Sequence, residues 1–271
     1  MGSNFACLGL QFDSEAAFEA MIQSIVPRAR SLGRRGNLHV LRWDDPGGAR
    51  LVLRVMGREF VGLTPSFAGT PGTKLADIGR VNDEVWRVTV VDDDDEQVTA
   101  ATVDLEEAGL IDGLREPREA TIVALGHDIA VFESEAAFHA SNASLIDPNA
   151  EPAEPPENAV KLGLQWPPRM SAESFMSIGV FGAPDDADTF ARLNGTVLRS
   201  ERRTTVETGL AFGVCRVRTL GMEVDLCLAS EDHPELPSPG QVVGGIVYLT
   251  ASVGVPPRRP SLIDRLRRRL S

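Results

Sequence analysis

Histidine, cysteine and aromatic residues are scarce in this chain. Its 271 residues include four His, three Cys, one Tyr and three Trp, and its net charge is −12. So few aromatic side chains argue against a broad surface for stacking nucleic-acid bases, and the negative charge repels phosphate backbones. We therefore expect no nucleic-acid partner.

The sequence also lacks the spacing of a metal site. His39, His127, His139 and His233 form no HExxH or HxH motif and no zinc-like pattern with cysteine. The run Asp92–Glu96 has neither the alternating ligands nor the central glycine of a calcium loop, which favours a solvated hairpin turn. We expect no stable metal and no cofactor. We interpret His39 as a hydrogen-bonded strand residue, and His127 and His233 as solvated.

Signals for disulfides, secretion and membrane spanning are weak. Cys7, Cys215 and Cys227 have no CxxC spacing and lie in apolar stretches, which predicts reduced core residues. The N-terminal segment has no basic region of the kind that begins a secretory signal. Residues 236–257 are uncharged, but their apolar part VVGGIVYL is far shorter than the roughly 20 residues of a spanning helix. We expect a cytoplasmic protein.

Motifs of common enzyme classes are missing as well. No serine lies in GxSxG, and neither a GxxxxGK[ST] loop nor a GxGxxG turn between strand and helix is present. Cys227 lies in the apolar stretch VDLCLA, which favours a buried structural thiol over a nucleophile. We assign no catalytic residue from the sequence.

The composition is that of a globular protein, with 42% hydrophobic and 24% charged residues. The segment 147–160 contains four prolines and four acidic residues, which is typical of an extended linker. We therefore predict an N-terminal α+β domain at 1–146, the linker at 147–160, a C-terminal β-barrel-like domain at 161–256 and a basic tail at 257–271.

Hydrophobic periodicity indicates a strand-rich α+β fold. In the first half we predict a strand at FACLGLQF, a helix capped near Ser14, a loop at 69–79, and hairpins turning at Gly57, at the acidic run and near Gly126. In the second half we predict a strand at VKLGLQW, helices in SAESFMSIGVF and DADTFARL, and several strands after residue 194. These later strands suggest a small OB-like β-barrel.

The two halves show an internal similarity that indicates a duplication. Leu8, Leu10 and Phe12 would match Leu162, Leu164 and Trp166, and the hairpins at Gly57 and Gly221 would be equivalent. Generic hairpin and helix-start patterns also account for these matches, so both explanations stay open. The succession of strand, helix and strands in each half resembles the topology of glyoxalase-like metal enzymes. Because FACLGLQF and VKLGLQW carry none of the His or Glu ligands of those enzymes, the resemblance assigns no residue.

The C-terminal tail is the most unusual segment. Residues 256–271 contain six arginines and one aspartate, a charge of +5, which leaves −17 on the preceding body. Ser261 and Asp264 resemble a capping box, and the pattern predicts a short basic amphipathic helix. Its expected interaction residues are Leu262, Ile263, Arg265, Leu266, Arg267, Arg268, Arg269 and Leu270.

The sequence leaves three functions open. The leading hypothesis is a non-enzymatic cytoplasmic binding or protein-interaction module, whose partner is another protein or a second copy. The first alternative is an enzyme or small-ligand-binding protein with a pocket between the two halves. The second is weak peripheral contact with anionic membranes through the basic tail.

Overall fold

The computed structural model describes residues 4–111, 113–147 and 154–254, and within these ranges the fold is strand-rich with few helices. The strands form a four-stranded and a nine-stranded sheet, so the predicted strand-rich α+β class is confirmed. The predicted interaction residues of the tail lie outside the described residues. None of the described helices has the length and apolar content needed to cross a bilayer.

An antiparallel meander forms the smaller sheet. It follows helix α1 (Glu15–Ile25), whose first turn is capped by Ser14 Oγ accepting from the backbone N of Ala17 at 3.2 Å, as predicted. Gly57 turns the predicted hairpin with a φ of 66°, which glycine adopts without strain. The strands, in spatial and chain order, are β1 (Arg30–Arg35), β2 (Leu38–Asp44), β3 (Ala49–Met56) and β4 (Glu59–Phe67).

The larger sheet contains the remaining nine strands. Its spatial order is β11-β12-β8-β5-β6-β7-β13-β10-β9, with further pairings β10–β11 and β8–β13. Two short helices, α2 (Glu135–Ala140) and α3 (Glu157–Leu162), lie between β8 and β9 in the chain. The strands are β5 (Thr73–Arg80), β6 (Trp86–Val91), β7 (Gln97–Leu105), β8 (Arg118–Phe132), β9 (Ser174–Ser177), β10 (Phe190–Thr204), β11 (Ala211–Thr219), β12 (Met222–Ala229) and β13 (Val242–Ser252).

Strands from both predicted domains share this sheet. β8 pairs with β13 over eleven antiparallel residue pairs, β12 runs parallel to β8, and β13 runs parallel to β7. The pairings β10–β11–β12–β8–β13 return to β10, so this circuit of five strands includes one strand from before residue 147. The division into domains at 1–146 and 161–256 stays a prediction about folding units, and the shared sheet argues against their folding separately.

The two Leu-Gly-Leu segments are not the strands expected from their alternation. Each ends a helical turn instead: Gly9 and Gly163 have φ values of 63° and 62°, in the left-handed region. The backbone N of Leu10 donates to Phe5 O and that of Leu164 to Ala159 O, both at 2.9 Å. This 6→1 bond with glycine at C′ is a Schellman motif, which explains the repeated residues. The strand–helix opening that resembled glyoxalase-like enzymes is therefore absent from the described residues.

Their environments also differ between the two halves. Leu8 and Leu10 are fully buried, whereas Leu162 and Leu164 are 71% and 60% exposed. The predicted equivalence of Leu8, Leu10 and Phe12 with Leu162, Leu164 and Trp166 as core residues is therefore wrong. What the segments share is a local helix-ending motif.

Other boundaries differ from the sequence predictions. The chain between 171 and 193 forms β9, two 3₁₀ turns and the start of β10 instead of two helices, and β5 occupies part of the predicted loop at 69–79. β8 passes straight through Gly126, where a hairpin was expected. The hairpins at Gly57, Gly221 and the acidic run are confirmed, as is the helix start at Ser14. Ser134 caps α2 in the same way. All three cysteines are buried and free.

Candidate ligand-binding groove

A layer of buried charges joins the two sheets. Arg54 on β3 donates through Nη1 to Thr64 Oγ1 at 2.9 Å and lies 3.4 Å from Asp104 Oδ1 on β7. Asp104 also accepts from Thr64 Oγ1 at 2.9 Å and from the hydroxyl of Tyr248 at 3.0 Å. Burial raises the pKa of Asp104, against the opposing charge of Arg54. The carboxylate is thus kept in the interior by three donors.

Two further acids extend this layer. Glu106 accepts from Arg42 Nη1 at 2.7 Å and from Ser66 Oγ at 2.8 Å. Glu107 accepts from Ser252 Oγ at 2.7 Å and from the backbone N of Val253 at 3.2 Å. Burial, and then the charge of Glu106, raises the pKa of Glu107. The bonds to Glu106 fasten the small sheet to the large one, and those to Glu107 fix the end of β13.

Tyr248 extends from this layer to the surface, where it lines one of two adjoining clefts. The first cleft encloses about 750 Å³ and the second about 660 Å³, and both are lined by Asp188 and Phe190. We call the two clefts together the acidic groove. Residues from before and after the predicted linker line it. The other lining residues are Val81, Asn82, Asp83, Glu84, Val85, Gly126, His127, Asp128, Ile129, Ile178, Asp185, Ala187, Thr189, Asp232, His233 and Ile246.

A β-bulge places His127 in the first cleft. On β13, Ile246 pairs with Asp128 and Val247 pairs with Gly126, so His127 is the extra residue on β8. Its Nε2 lies 2.6 Å from Asn4 Oδ1. Bulges often redirect a side chain beside a binding site, and His127, the extra residue of this bulge, lines the first cleft.

An aromatic row forms the middle of the groove. The rings of His127 and Phe190 meet edge to face with centroids 5.0 Å apart, and those of Phe190 and Tyr248 are 5.7 Å apart. Phe190 is placed by the register of β10 on β13, where it pairs directly with Tyr248. The row therefore connects the groove to the buried Asp104 through the Tyr248 hydroxyl.

Asn82 holds together the two walls of the second cleft. Its Nδ2 donates to Pro184 O at 3.2 Å and to Ala187 O at 3.1 Å. Its Oδ1 accepts from the backbone N of Val85 at 2.9 Å, which closes the turn before β6. One side chain thus fixes two loops that are remote in sequence.

Acidic side chains dominate the polar lining of the groove. Six carboxylate residues line it, and among the described lining residues none is Lys or Arg. Asp83 has a compensating partner outside the lining, because Arg80 forms an ion pair with it. Asp188 accepts the backbone N of Phe190 at 3.0 Å through Oδ1. The remaining carboxylates give the groove an electrostatic preference for cations.

Both groove histidines favour the neutral form. Burial lowers the pKa of His127, and burial also lowers the pKa of His233 against the opposing charge of Asp232. Neutral imidazoles can accept protons or hydrogen bonds from a ligand. Among the described residues, no three His, Cys, Asp or Glu side chains are placed to share a metal ion.

The groove differs from the sequence-based interpretation of its residues. His127 and His233 were expected to be solvated but are partly buried, and Asp188 lies in the segment DADTFARL, where a helix was expected, but precedes strand β10. Asp128 and Asp232 were not considered, since no local pattern distinguishes them from ordinary surface acids. His39 is a hydrogen-bonded strand residue, as predicted: it lies on β2, and its Nε2 is 2.8 Å from Ser31 Oγ.

Comparisons with protein-family models, curated proteins and solved structures gave no match.

Proposed function

We propose that the protein is a non-enzymatic binding protein whose acidic groove takes up a basic, partly apolar segment of a protein. The observation that carries this proposal is the lining itself: six carboxylate residues and no described Lys or Arg, around an aromatic row. A basic segment would exchange solvated carboxylates for ion pairs at the rim. Its apolar side chains would cover Phe190, Ile178 and Ile246.

The size of the groove supports a segment of several residues. Each cleft lies within the roughly 300–1,000 Å³ typical of a small-ligand pocket, and the two adjoin along Asp188 and Phe190. A ligand that spans both would therefore be longer than a typical small molecule. Exposed ion pairs contribute little individually, at about 0.2–1 kcal/mol each. The apolar contacts would supply much of the affinity, and the carboxylates would select for positive charge.

The basic tail is one candidate for this segment. Residues 257–271 combine arginines with leucines and carry the charge opposite to that of the groove. The 17 residues after Gly254 span up to about 56 Å when extended, and the groove residue Tyr248 lies only six residues before Gly254. Occupation by the tail of a second copy would produce the self-association that we expected from the sequence.

The test uses a chain that lacks residues 258–271 and a fluorescent peptide with the sequence 257–271. We expect saturable binding that weakens as salt is added. Replacing Asp128, Asp188 and Asp232 by Asn should weaken binding about tenfold or more, since three carboxylates are lost. The matched control replaces Asp93, Asp94 and Glu96 of the acidic turn by the corresponding amides. Equal losses in both triple variants would show only general charge attraction and would refute the groove.

The small-ligand alternative has its own outcome in this assay. An organic cation such as spermidine, competing with the peptide, should act weakly if a protein segment is the ligand. Tight, stoichiometric binding of the small cation together with no peptide binding would favour small-ligand binding as the function.

The enzyme alternative rests on His127 and His233 as neutral proton acceptors. Cytoplasmic location and weak membrane contact through the tail remain proposals.

Strand pairing supports one architectural proposal. We infer that the circuit β10–β11–β12–β8–β13 forms the small OB-like barrel expected in the second half, with β8 contributed by the first half. The continuous ladder of pairings around these five strands supports this closure. Sheets that close in this way leave few unpaired edges.

A further inference from the structure

Arginine is concentrated in the small sheet. Residues 28–58 contain eight arginines and two aspartates, although the whole chain carries a charge of −12. Arg42, Arg50 and Arg54 are used in the buried layer between the sheets. Arg34 and Arg58 are exposed at the end of the small sheet that holds the β1–β2 and β3–β4 turns, and they form no ion pair with the described residues.

Two hairpin turns lie side by side at that end. The backbone N of Gly57 donates to Asn37 O at 2.9 Å, which joins the β3–β4 turn to the β1–β2 turn. A Cβ built at Gly36 or Gly57 would meet no atom within 4 Å, so both turns project into open space. We call the two turns together the hairpin tip.

Large apolar side chains are exposed on this tip. Met56, Phe60 and Val61 are 46%, 52% and 50% exposed. Val55 pairs with Phe60 and Arg54 with Gly62, so Val61 is the extra residue of a bulge in β4. We define the hairpin-tip patch as Arg34, Met56, Arg58, Phe60 and Val61.

Register places basic and apolar members of the patch on one face. Arg34 pairs with His39, His39 with Val55, and Val55 with Phe60, in one row across all four strands. Directly opposed residues of antiparallel strands share a face of the sheet. The row therefore sets an exposed arginine at one edge and an exposed phenylalanine at the other.

We propose that the hairpin-tip patch binds the surface of a membrane that contains anionic lipids. Arginines beside exposed apolar side chains are the combination that interfacial binding requires, because headgroups attract the charges and the acyl boundary accepts the apolar groups. A tip that projects into open space favours a lipid surface over a protein partner. Lipids rearrange around a projecting side chain, whereas a protein would need a matching cavity.

The overall negative charge does not prevent this contact. Residues 34–37 and 56–61 contain three arginines and one carboxylate, that of Glu59. At physiological ionic strength, charges farther from the tip than the Debye length of about 8 Å are largely screened.

The experiment measures co-sedimentation of the full chain with vesicles. One set contains equal parts of phosphatidylcholine and phosphatidylglycerol, and the other phosphatidylcholine alone. We expect binding to the anionic set only. Arg34→Ala with Arg58→Ala should weaken it roughly 25-fold, at about fivefold for each arginine. Phe60→Ser with Val61→Ser should weaken it about tenfold or more.

Matched variants control for general effects of charge and hydrophobicity. Arg87→Ala with Arg199→Ala removes two exposed arginines elsewhere, and Leu162→Ser with Leu164→Ser removes two exposed leucines. Both should bind as the natural chain does, and thermal unfolding should show that every variant is folded. Unchanged binding in the patch variants would overturn the proposal, as would loss of binding only when residues 258–271 are deleted. Patch-dependent binding to poly-glutamate without vesicle binding would identify an acidic protein partner instead.

Discussion

Replacing Arg54 by Met tests whether the buried charge layer holds the two sheets together. Arg54 is 8% exposed and Asp104 is 3% exposed, so the substitution leaves a buried carboxylate beside Thr64 and Tyr248 without its cation. Removing one partner of a buried ion pair costs about 3–5 kcal/mol. Met fills a similar volume, so the loss reflects charge more than cavity formation.

The cost should depend on pH in a defined direction. Burial raises the pKa of Asp104 above its ordinary value of 3.8, and removing Arg54 raises it further. A raised carboxyl pKa means that the folded state holds its proton more tightly than the unfolded state does. The resulting stabilisation is complete below 3.8 and is lost as pH rises through the folded pKa. Arg54→Met should therefore destabilise more at pH 7 than at about pH 4.5.

Thermal and urea unfolding measure both effects. At neutral pH the Tm should fall on the order of 10 °C, given roughly 2–4 °C per kcal/mol for a chain of this size. Adding Asp104→Asn should restore much of the loss, because the amide still accepts from Thr64 without a charge. Equal destabilisation at both pH values, with no rescue by Asp104→Asn, would refute the role assigned to this pair.

Three further predictions concern the interior, the linker and metal content. Tyr248→Phe removes the hydroxyl that donates to Asp104, so unfolding free energy should fall by about 1.5–3 kcal/mol; a change below the error of urea titration would contradict that bond. Limited proteolysis should cut first within 147–160, and the fragments should stay associated on gel filtration because β8 and β13 pair over eleven residues. Separation into two folded fragments would instead support the predicted domains at 1–146 and 161–256 as independent folding units. Elemental analysis of the pure protein should show no near-stoichiometric zinc, iron or manganese, and finding one would revive the hypothesis of a metal enzyme.

Local sequence signals were reliable where short-range physics decides the structure. Ser14 and Ser134 both cap helices, and glycines 57 and 221 both turn hairpins, since each needs only neighbouring residues. The Leu-Gly-Leu repeat shows the limit of alternation. The same three residues satisfy a strand pattern and a Schellman motif, and only the left-handed glycine distinguishes them.

Long-range pairing determines what the sequence could not reveal. Gly126 and His127 look like a turn, but pairing with β13 keeps β8 extended and converts His127 into a bulge. The groove gathers Asp83, Asp128, Asp188 and Asp232 from four separate segments. Their proximity depends on strand order, which no local periodicity encodes.

The position of β13 has a consequence for how the chain is made. This strand is formed by residues 242–252, yet it pairs with β7 and β8, which come far earlier in the chain. During synthesis β7 and β8 emerge long before β13 exists, so the edges that pair with β13 stay open until residues 242–252 are translated. Such long-range closure is slow and exposes strand edges to aggregation. Nascent chains that stop before residue 242 should therefore depend on chaperones far more than chains that include β13 do.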